Sequence, residues 1–279
     1  MEPRRLTRAA LSPHHGTDIE TIRRIESIAA AAWPPIRTIR VGPWELRRTP
    51  NSSTQRANSA LALEPWDPCL DIGETVDRTI DVYDETGGIP RFQISPASRP
   101  AELDGVLQSK GFRVESPTCV MGVALTGRAP SRRVDTVQIT PTPDATWRKA
   151  FRRANPMPGE AEGRLAILSR ATDTGGSAGF ASVRDEAGAV VSIGTGIRPA
   201  ETDAVVIFGM HTFSPYRRRG HANRMLAGLI AWALEIDCSK VYLQVEADNG
   251  EAVKLYAGNG FRHLYDYHYR ALIRANKVG

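Results

Sequence analysis

The chain has 279 residues, 41% hydrophobic and 24% charged, an ordinary balance that can bury a core. No stretch approaches the ~20 apolar residues of a membrane span, and the N-terminus carries no apolar run of signal-peptide length, so a cytoplasmic location without membrane contact is expected. The formal charge of +5 is mild for this length and fits a phosphate-bearing ligand as well as nucleic acid, so charge alone decides neither.

Residues 1–16 lack periodicity and read as a loose lead-in. Ile22, Ile25, Ile28, Ala29 and Ala32 then form one apolar stripe, which predicts a helix from Asp18, its N-cap, to Ala32, where Trp33-Pro34-Pro35 ends it. Strands are expected over Trp44–Arg48 and Ser59–Leu63. A helix over Leu70–Thr86 is closed by Gly87-Gly88, and a strand over Phe92–Ile94 follows. Next come a helix over Pro100–Lys110 and a strand over Cys119–Leu125. The basic, Pro-containing stretch 127–133 reads as a linker. Arg56, Asn58 and Ser59 are polar residues within a strand signal and candidates to reach a cleft, although such residues more often serve turns and caps.

Beyond the linker a strand is expected over Val134–Ile139, helices over Asp144–Arg153 and Ala161–Arg170, and a hairpin of Ser177–Asp185 with Ala189–Arg198. An apolar strand, Ala204–Phe213, leads into the strongest helix, Gly220–Ile236. Lys240–Val245 is a strand, Asn249–Ala257 a short helix and Phe261–Ile273 a final strand region. Both parts read as mixed α+β units of similar size, 17–127 and 134–279, with no tight repeat between them. Cys69, Cys119 and Cys238 are widely spaced, match no metal-ligand pattern and read as buried thiols, so no metal is expected.

The segment Phe208–Ala222, FGMHTFSPYRRRGHA, carries the first chemical signal. A strand breaks at Pro215, an arginine cluster follows, and a long helix begins at once. The first turn of a helix leaves backbone N–H groups unpaired at the positive end of its dipole, a ready anion site. Gly220 and Ala222 let a diphosphate approach the backbone, and Arg217, Arg218 and Arg219 add charge, with His221 in the same loop. Taken alone, this is equally a solvated basic turn. The second signal is Asn249, Ala252, Leu255 and Tyr256, followed by Gly260-Phe261; Ala252, Leu255 and Tyr256 share a helix face, and Gly260 is placed to close it.

Arg217-x-x-Gly220-x-Ala222 and Asn249-x-x-Ala252-x-x-Leu255-Tyr256 with Gly260-Phe261, in this order, resemble the two cofactor motifs of the GNAT superfamily of N-acetyltransferases. Gly42–Arg48, Arg56–Leu61, Val241–Asn249 and the Tyr267–Arg270 tail extend the resemblance to bacterial two-module GNAT proteins that include stand-alone N-acetylglutamate synthases. It implies tandem GNAT-like modules: a degenerate one over 17–127, which lacks the loop motif, and a catalytic one over 134–279 with a mixed, splayed central sheet. It further implies acetyl-CoA as co-substrate, held by Met210, Thr212, Arg217–Ala222 and Asn249. Met210 and Thr212 would act through backbone donors at the splayed strand end, and Tyr256 would protonate the departing thiolate.

For the general base the resemblance leaves two candidates, Glu246 near the end of its strand and then His211 beside the splay. The resemblance makes the expected acceptor a small-molecule amine, with L-glutamate in front of an aminoglycoside, a polyamine or a protein lysine; the sequence shows no acidic cluster to invite a polycation, which favours an acidic or neutral amine. A non-catalytic acyl-CoA-binding regulator is the competing class. A nucleic-acid binder is disfavoured, since interleaved aromatics and a helix-turn-helix signature are missing.

Overall fold

The computed structural model describes residues 16–125 and 137–273, so the expected lead-in and the 127–133 linker fall almost wholly outside them. Helix α1 (Ile19–Ala32) starts where Asp18 accepts a 2.9 Å hydrogen bond from the Thr21 amide. Strands β1 (Arg37–Val41), β2 (Trp44–Arg48) and β3 (Ala60–Leu61) follow, then α2 (Ile72–Glu85), β4 (Arg91–Ile94), α3 (Leu103–Ser109) and β5 (Arg113–Ala124). The second half contributes β6 (Val137–Thr140), α4 (Ala145–Ala154), α5 (Glu160–Asp173), β7 (Ser177–Arg184), β8 (Val190–Arg198) and β9 (Ala204–Thr212). It closes with α6 (His221–Glu235), β10 (Lys240–Glu246), α7 (Gly250–Gly258) and β11 (Arg262–Ala271).

All eleven strands belong to one sheet, in the order β1-β2-β3-β4-β11-β5-β10-β9-β8-β7-β6. The last strand of the chain thus lies between two strands of its first half, antiparallel to both. Among the described residues, only β9–β10 and β3–β4 pair in parallel.

Helices cover both faces. On one, Met225, Leu226, Leu229 and Ala233 of α6 and Tyr256 of α7 pack on Val205, Ile207, Leu243 and Val245. On the other, Trp33 at the end of α1, Trp147 and Phe151 of α4 and Ile167 and Leu168 of α5 pack on Ala204 and Val206, with Phe208 against them. The Val, Leu, Ile, Met and Phe side chains among these contribute about 1.5–3 kcal/mol each when fully buried. The α6 layer lies close because glycines make room: a Cβ on Gly179 or Gly196 would come within 2.9 or 2.8 Å of the Trp232 ring.

Three features differ from the sequence expectations. Strand β1 was not anticipated, because RTIRV is an edge strand whose arginines and threonine leave no clear apolar face. Strand β5 begins at Arg113 rather than Cys119; its polar, Pro-containing start is held by pairing with β11 across two register shifts. The cysteines are not uniformly buried: Cys238 is, Cys119 is half-buried with its thiol pushed up to about 12 mainly by burial, and Cys69 is exposed in a turn.

Candidate active site

Strands β9 and β10 run together from Ala204↔Lys240 to Ile207↔Leu243 and then part. Strand β10 stays paired on its other side with β5 as far as Glu246↔Thr118. Among the described residues, Phe208–Thr212 therefore have no strand neighbour on the β10 side. Such a gap at the carboxyl ends of parallel strands exposes backbone groups to a ligand. Phe213 donates to Val191 O at 3.1 Å on the β8 side, so strand alternation turns the Thr212 N–H, and that of Met210 two residues earlier, toward the gap.

The parting coincides with a bulge. Phe208 pairs with Thr195 and His211 with Ile193, so Gly209 and Met210 together oppose Gly194. Gly209 has φ +60°, a conformation that suits glycine. Before the bulge, Val205 and Ile207 face α6 while Val206 and Phe208 face α4 and α5. After it the parity is reversed: Met210 packs with the α6 and α7 side, and Phe213 with the α4 and α5 side.

On the α7 side, the Tyr256 hydroxyl lies 4.0 Å from the Met210 sulfur. Tyr256 is 9% exposed, and burial raises its hydroxyl above the ordinary value of 10.0, so it carries its proton at neutral pH. Asn249 spends its Oδ1 on capping α7, accepting from the Ala252 amide at 3.1 Å. Gly260 closes that helix at φ +85°. Glu246 ends β10 at the mouth of the gap, exposed, with its carbonyl accepting from the Asn249 amide.

The loop between β9 and α6 has the anatomy of an anion site. Gly220 takes φ +78° at the N-cap of α6 and offers no side-chain cap, and the first intrahelical bond recorded is Arg224 N–H to Gly220 O at 3.0 Å. A Cβ on Gly220 would meet nothing within 4 Å, so the approach is open. Arg217 donates from Nε to Thr212 O at 3.0 Å, and Arg218 pairs with Glu251 at 2.8 Å. His221 is buried beneath the loop with Nδ1 3.1 Å from Arg224; burial, then Arg224 and Arg219, lower its pKa. Ala222 follows in the first turn of α6. These residues fit a diphosphate.

On the opposite face, beside the bulge, lies a cavity of about 180 Å³ walled by Trp33, Phe151, Asn155, Arg164, Thr195 and the Phe208–His211 stretch, among others. His211 is held edge-on to Phe213 at 4.9 Å between ring centroids. Burial, then Arg217 and Arg153, push its imidazole below the ordinary 6.5, so it is neutral at pH 7 and able to accept a proton. Glu160, buried in α5, pairs with Arg164 and accepts from the Ser53 amide at 2.5 Å, which pins the Ser52–Ser53 loop against α5.

The gap therefore brings together Met210, Thr212, His211 and Tyr256, with Glu246 at its rim and the Arg217–Ala222 loop at the N-terminus of α6 beyond it. Arg56, Asn58 and Ser59 are instead buried structural groups. Arg56 donates to the Tyr267 hydroxyl at 2.7 Å, Asn58 caps the 49–54 loop, and the Ser59 hydroxyl accepts from Arg47. Sequence reasoning missed Trp33, taken as part of a helix stop, and Arg164, one of many arginines. An i,i+4 Glu160–Arg164 pair was the available signal.

A family model described as "Probable histone acetyltransferase Rv0428c C-terminal" matches residues 19–270. The chain is 27% identical over 265 residues to the "Uncharacterized N-acetyltransferase YobR" of Bacillus subtilis (strain 168), covering 90% of this chain and 99% of that protein. In structure it is similar to a GCN5-related N-acetyltransferase from Kribbella flavida, with TM-score 0.64 and 16% identity over 91% of this chain and 96% of that one. It is also similar to a tandem GNAT protein from the clavulanic acid biosynthesis pathway, solved without AcCoA, with TM-score 0.59 and 11% identity over 90% and 87% of the two chains. The two solved structures share the fold: a mixed, splayed α+β sheet of GNAT type. Among the described residues, no helix is long and apolar enough to cross a membrane.

Proposed function

Because this chain belongs to the family whose model spans residues 19–270, and is an acyltransferase of GNAT type with acetyl-CoA as donor, we propose that it acetylates the amino group of a small molecule, L-glutamate first. One observation carries this reading: the parting of β9 from β10 at the Gly209 bulge sets a buried, protonated Tyr256 on one side of the gap and a neutral His211 on the other.

In this reading the first turn of α6 and the Arg217–Arg219 cluster hold the diphosphate of the donor, and the Met210 and Thr212 amides line its acyl end. Those amides are placed to stabilise the oxyanion that develops on the thioester carbonyl. The acceptor ammonium loses a proton to His211, directly or through water, and the free amine attacks the carbonyl carbon. The carbon–sulfur bond breaks as the carbonyl re-forms, Tyr256 gives its proton to the leaving sulfur, and the second proton of the acylated nitrogen passes through water to restore the Tyr256 hydroxyl. Glu246 is the alternative base, favoured by its place at the rim. Asn249 supports the site through the cap it gives α7. Residues 134–279 carry these steps, and residues 17–127 serve as a wall of the acceptor cleft.

A protein lysine is the second reading, favoured by the wording of the family description. Thiol release from acetyl-CoA across amino acids, polyamines, aminoglycosides and histone peptides decides between them. Release with glutamate and not with peptides supports the first reading, and release with peptides alone sinks it.

A further inference from the structure

The cavity beside the bulge has an unused donor set. Trp33 is 5% exposed and lines the cavity, and among the described residues its buried Nε1–H has no hydrogen-bond partner. A buried donor left unpaired is costly, and an oxygen brought by a ligand would satisfy it. Arg164 stands in the same wall, 30% exposed at its side chain. Its one recorded partner among the described residues is Glu160, reached through Nε. The terminal nitrogens of the guanidinium fork remain for a second planar anion.

Charge around the cavity points the same way. Among the described residues, none of those lining it is acidic. Glu160 lies behind Arg164, with its oxygens also taken by the Ser53 amide and, at 3.3 Å, the Ser52 hydroxyl. The two charged groups that act on His211 are both arginines, and the Arg153 guanidinium lies 4.0 Å above the Phe213 ring next to it. An acceptor rich in ammonium groups finds no counter-charge here, whereas a carboxylate finds Arg164. At about 30 Å³ per water, the cavity holds on the order of six waters, the scale of a small amino acid.

We propose that this cavity is the acceptor subsite, and that Arg164 and the Trp33 Nε1–H together bind a carboxylate of the acceptor, which makes the substrate a small amine bearing an acid group. The acid is held on the α5 side and the amine is left toward His211 and the gap. Trp33 comes from the end of α1, and Glu160 ties Arg164 to the Ser52–Ser53 loop, so the first half of the chain supplies and braces part of the specificity wall. Glu160 is a positioning residue. The subsite rests on the acetyl-transfer reading only for its name, because its binding chemistry is measurable without turnover.

The test is calorimetric titration of two matched pairs, L-glutamate with L-glutamine and L-alanine with L-alaninamide, into the protein in the presence of coenzyme A. In at least one pair the acid is expected to bind about tenfold more tightly than the amide, the worth of one charge-assisted hydrogen-bond pair. Arg164→Gln, which keeps a donor for Glu160, brings that ratio to about one, Arg164→Lys restores part of it, and Trp33→Phe reduces it several-fold. Equal melting temperatures of the variants exclude unfolding as the cause. A ratio of one in the wild-type protein, no binding of either acid, or a ratio untouched by Arg164→Gln overturns the clamp. Thiol release measured in parallel separates the two ideas. Acid binding through Arg164 with no release from any amine leaves the clamp and removes the transfer reading, while release with polyamines alone does the reverse.

Discussion

The Tyr256 hydroxyl and the Met210 sulfur lie 4.0 Å apart across the gap that opens where β9 leaves β10. Among the described residues their elements share no backbone hydrogen bond at this point, and in the proposed mechanism their contact marks where the thioester sulfur is received. Replacing the hydroxyl removes the proton donor without removing the ring from the core. Tyr256→Phe is expected to lower kcat about 10²-fold, the usual worth of a positioned acid. Acetyl-CoA affinity, measured by calorimetry, stays within about a factor of three. An unchanged kcat would leave Tyr256 as a packing residue.

The pH profile reports on His211. Its pKa is depressed, so the neutral base is already present through pH 7 and is lost only as pH falls through a value below 6.5. The acid limb of kcat/KM is therefore expected below that value, and His211→Asn removes the limb together with about 10²-fold in rate. Should Glu246→Gln erase the limb while His211→Asn leaves it, the base is Glu246.

Gly209 takes a left-handed conformation at the bulge. A Cβ there meets nothing within 4 Å, so the penalty of Gly209→Ala is conformational, about 1–2 kcal/mol. That predicts a melting temperature lower by roughly 2–8 °C. The larger effect is on turnover, about 10²-fold, because the reacting groups on either side of the bulge are displaced. A stability loss with unaltered kinetics would show that the bulge does not set the geometry.

Asp104 of α3 accepts from His268 Nε2 at 3.0 Å and from Arg270 Nε at 2.7 Å on β11. The His268 hydrogen bond first, then those of Arg270, hold its carboxyl well below the ordinary 3.8. A depressed carboxylate stabilises the fold above its unfolded value of about 3.9, and the benefit is lost as pH falls through the lower folded value. Asp104 is 39% exposed, so screening limits the net effect to about 1 kcal/mol. Asp104→Asn is expected to lower the melting temperature by roughly 2–4 °C at pH 7, with the difference closing toward pH 2. A gap that persists in acid would assign the loss to packing.

Much of this was legible in the sequence because it is local. Asp18, Asp144 and Asn249 each precede an amphipathic run and each caps the helix it announces. The Arg217–Ala222 loop is read from glycine and charge at fixed spacing. What was hidden is what depends on distant pairing. Nothing in the local pattern of β11 says that it inserts between β4 and β5, and that insertion is what draws β5 out to Arg113. The bulge was equally silent, since Gly209 in an apolar strand fits a plain strand, and only its register with β8 shows two residues against one. Trp33 and Arg164 acquire meaning only once α1 and α5 meet on the same face.

Along β9, whether a side chain meets the α6 and α7 side or the α4 and α5 side is settled by whether an even or an odd number of residues precedes it, and the bulge at Gly209 changes the count. Straightening the strand at that glycine, with no residue lost, would turn His211 toward α7 and Met210 toward the cavity while leaving every reactive side chain in the chain. Homologous chains of equal length, one bulged at this point and one not, would thus carry the same inventory of groups and not the same chemistry. A comparison made side chain by side chain would overlook the difference, whereas one that counts strand positions would find it.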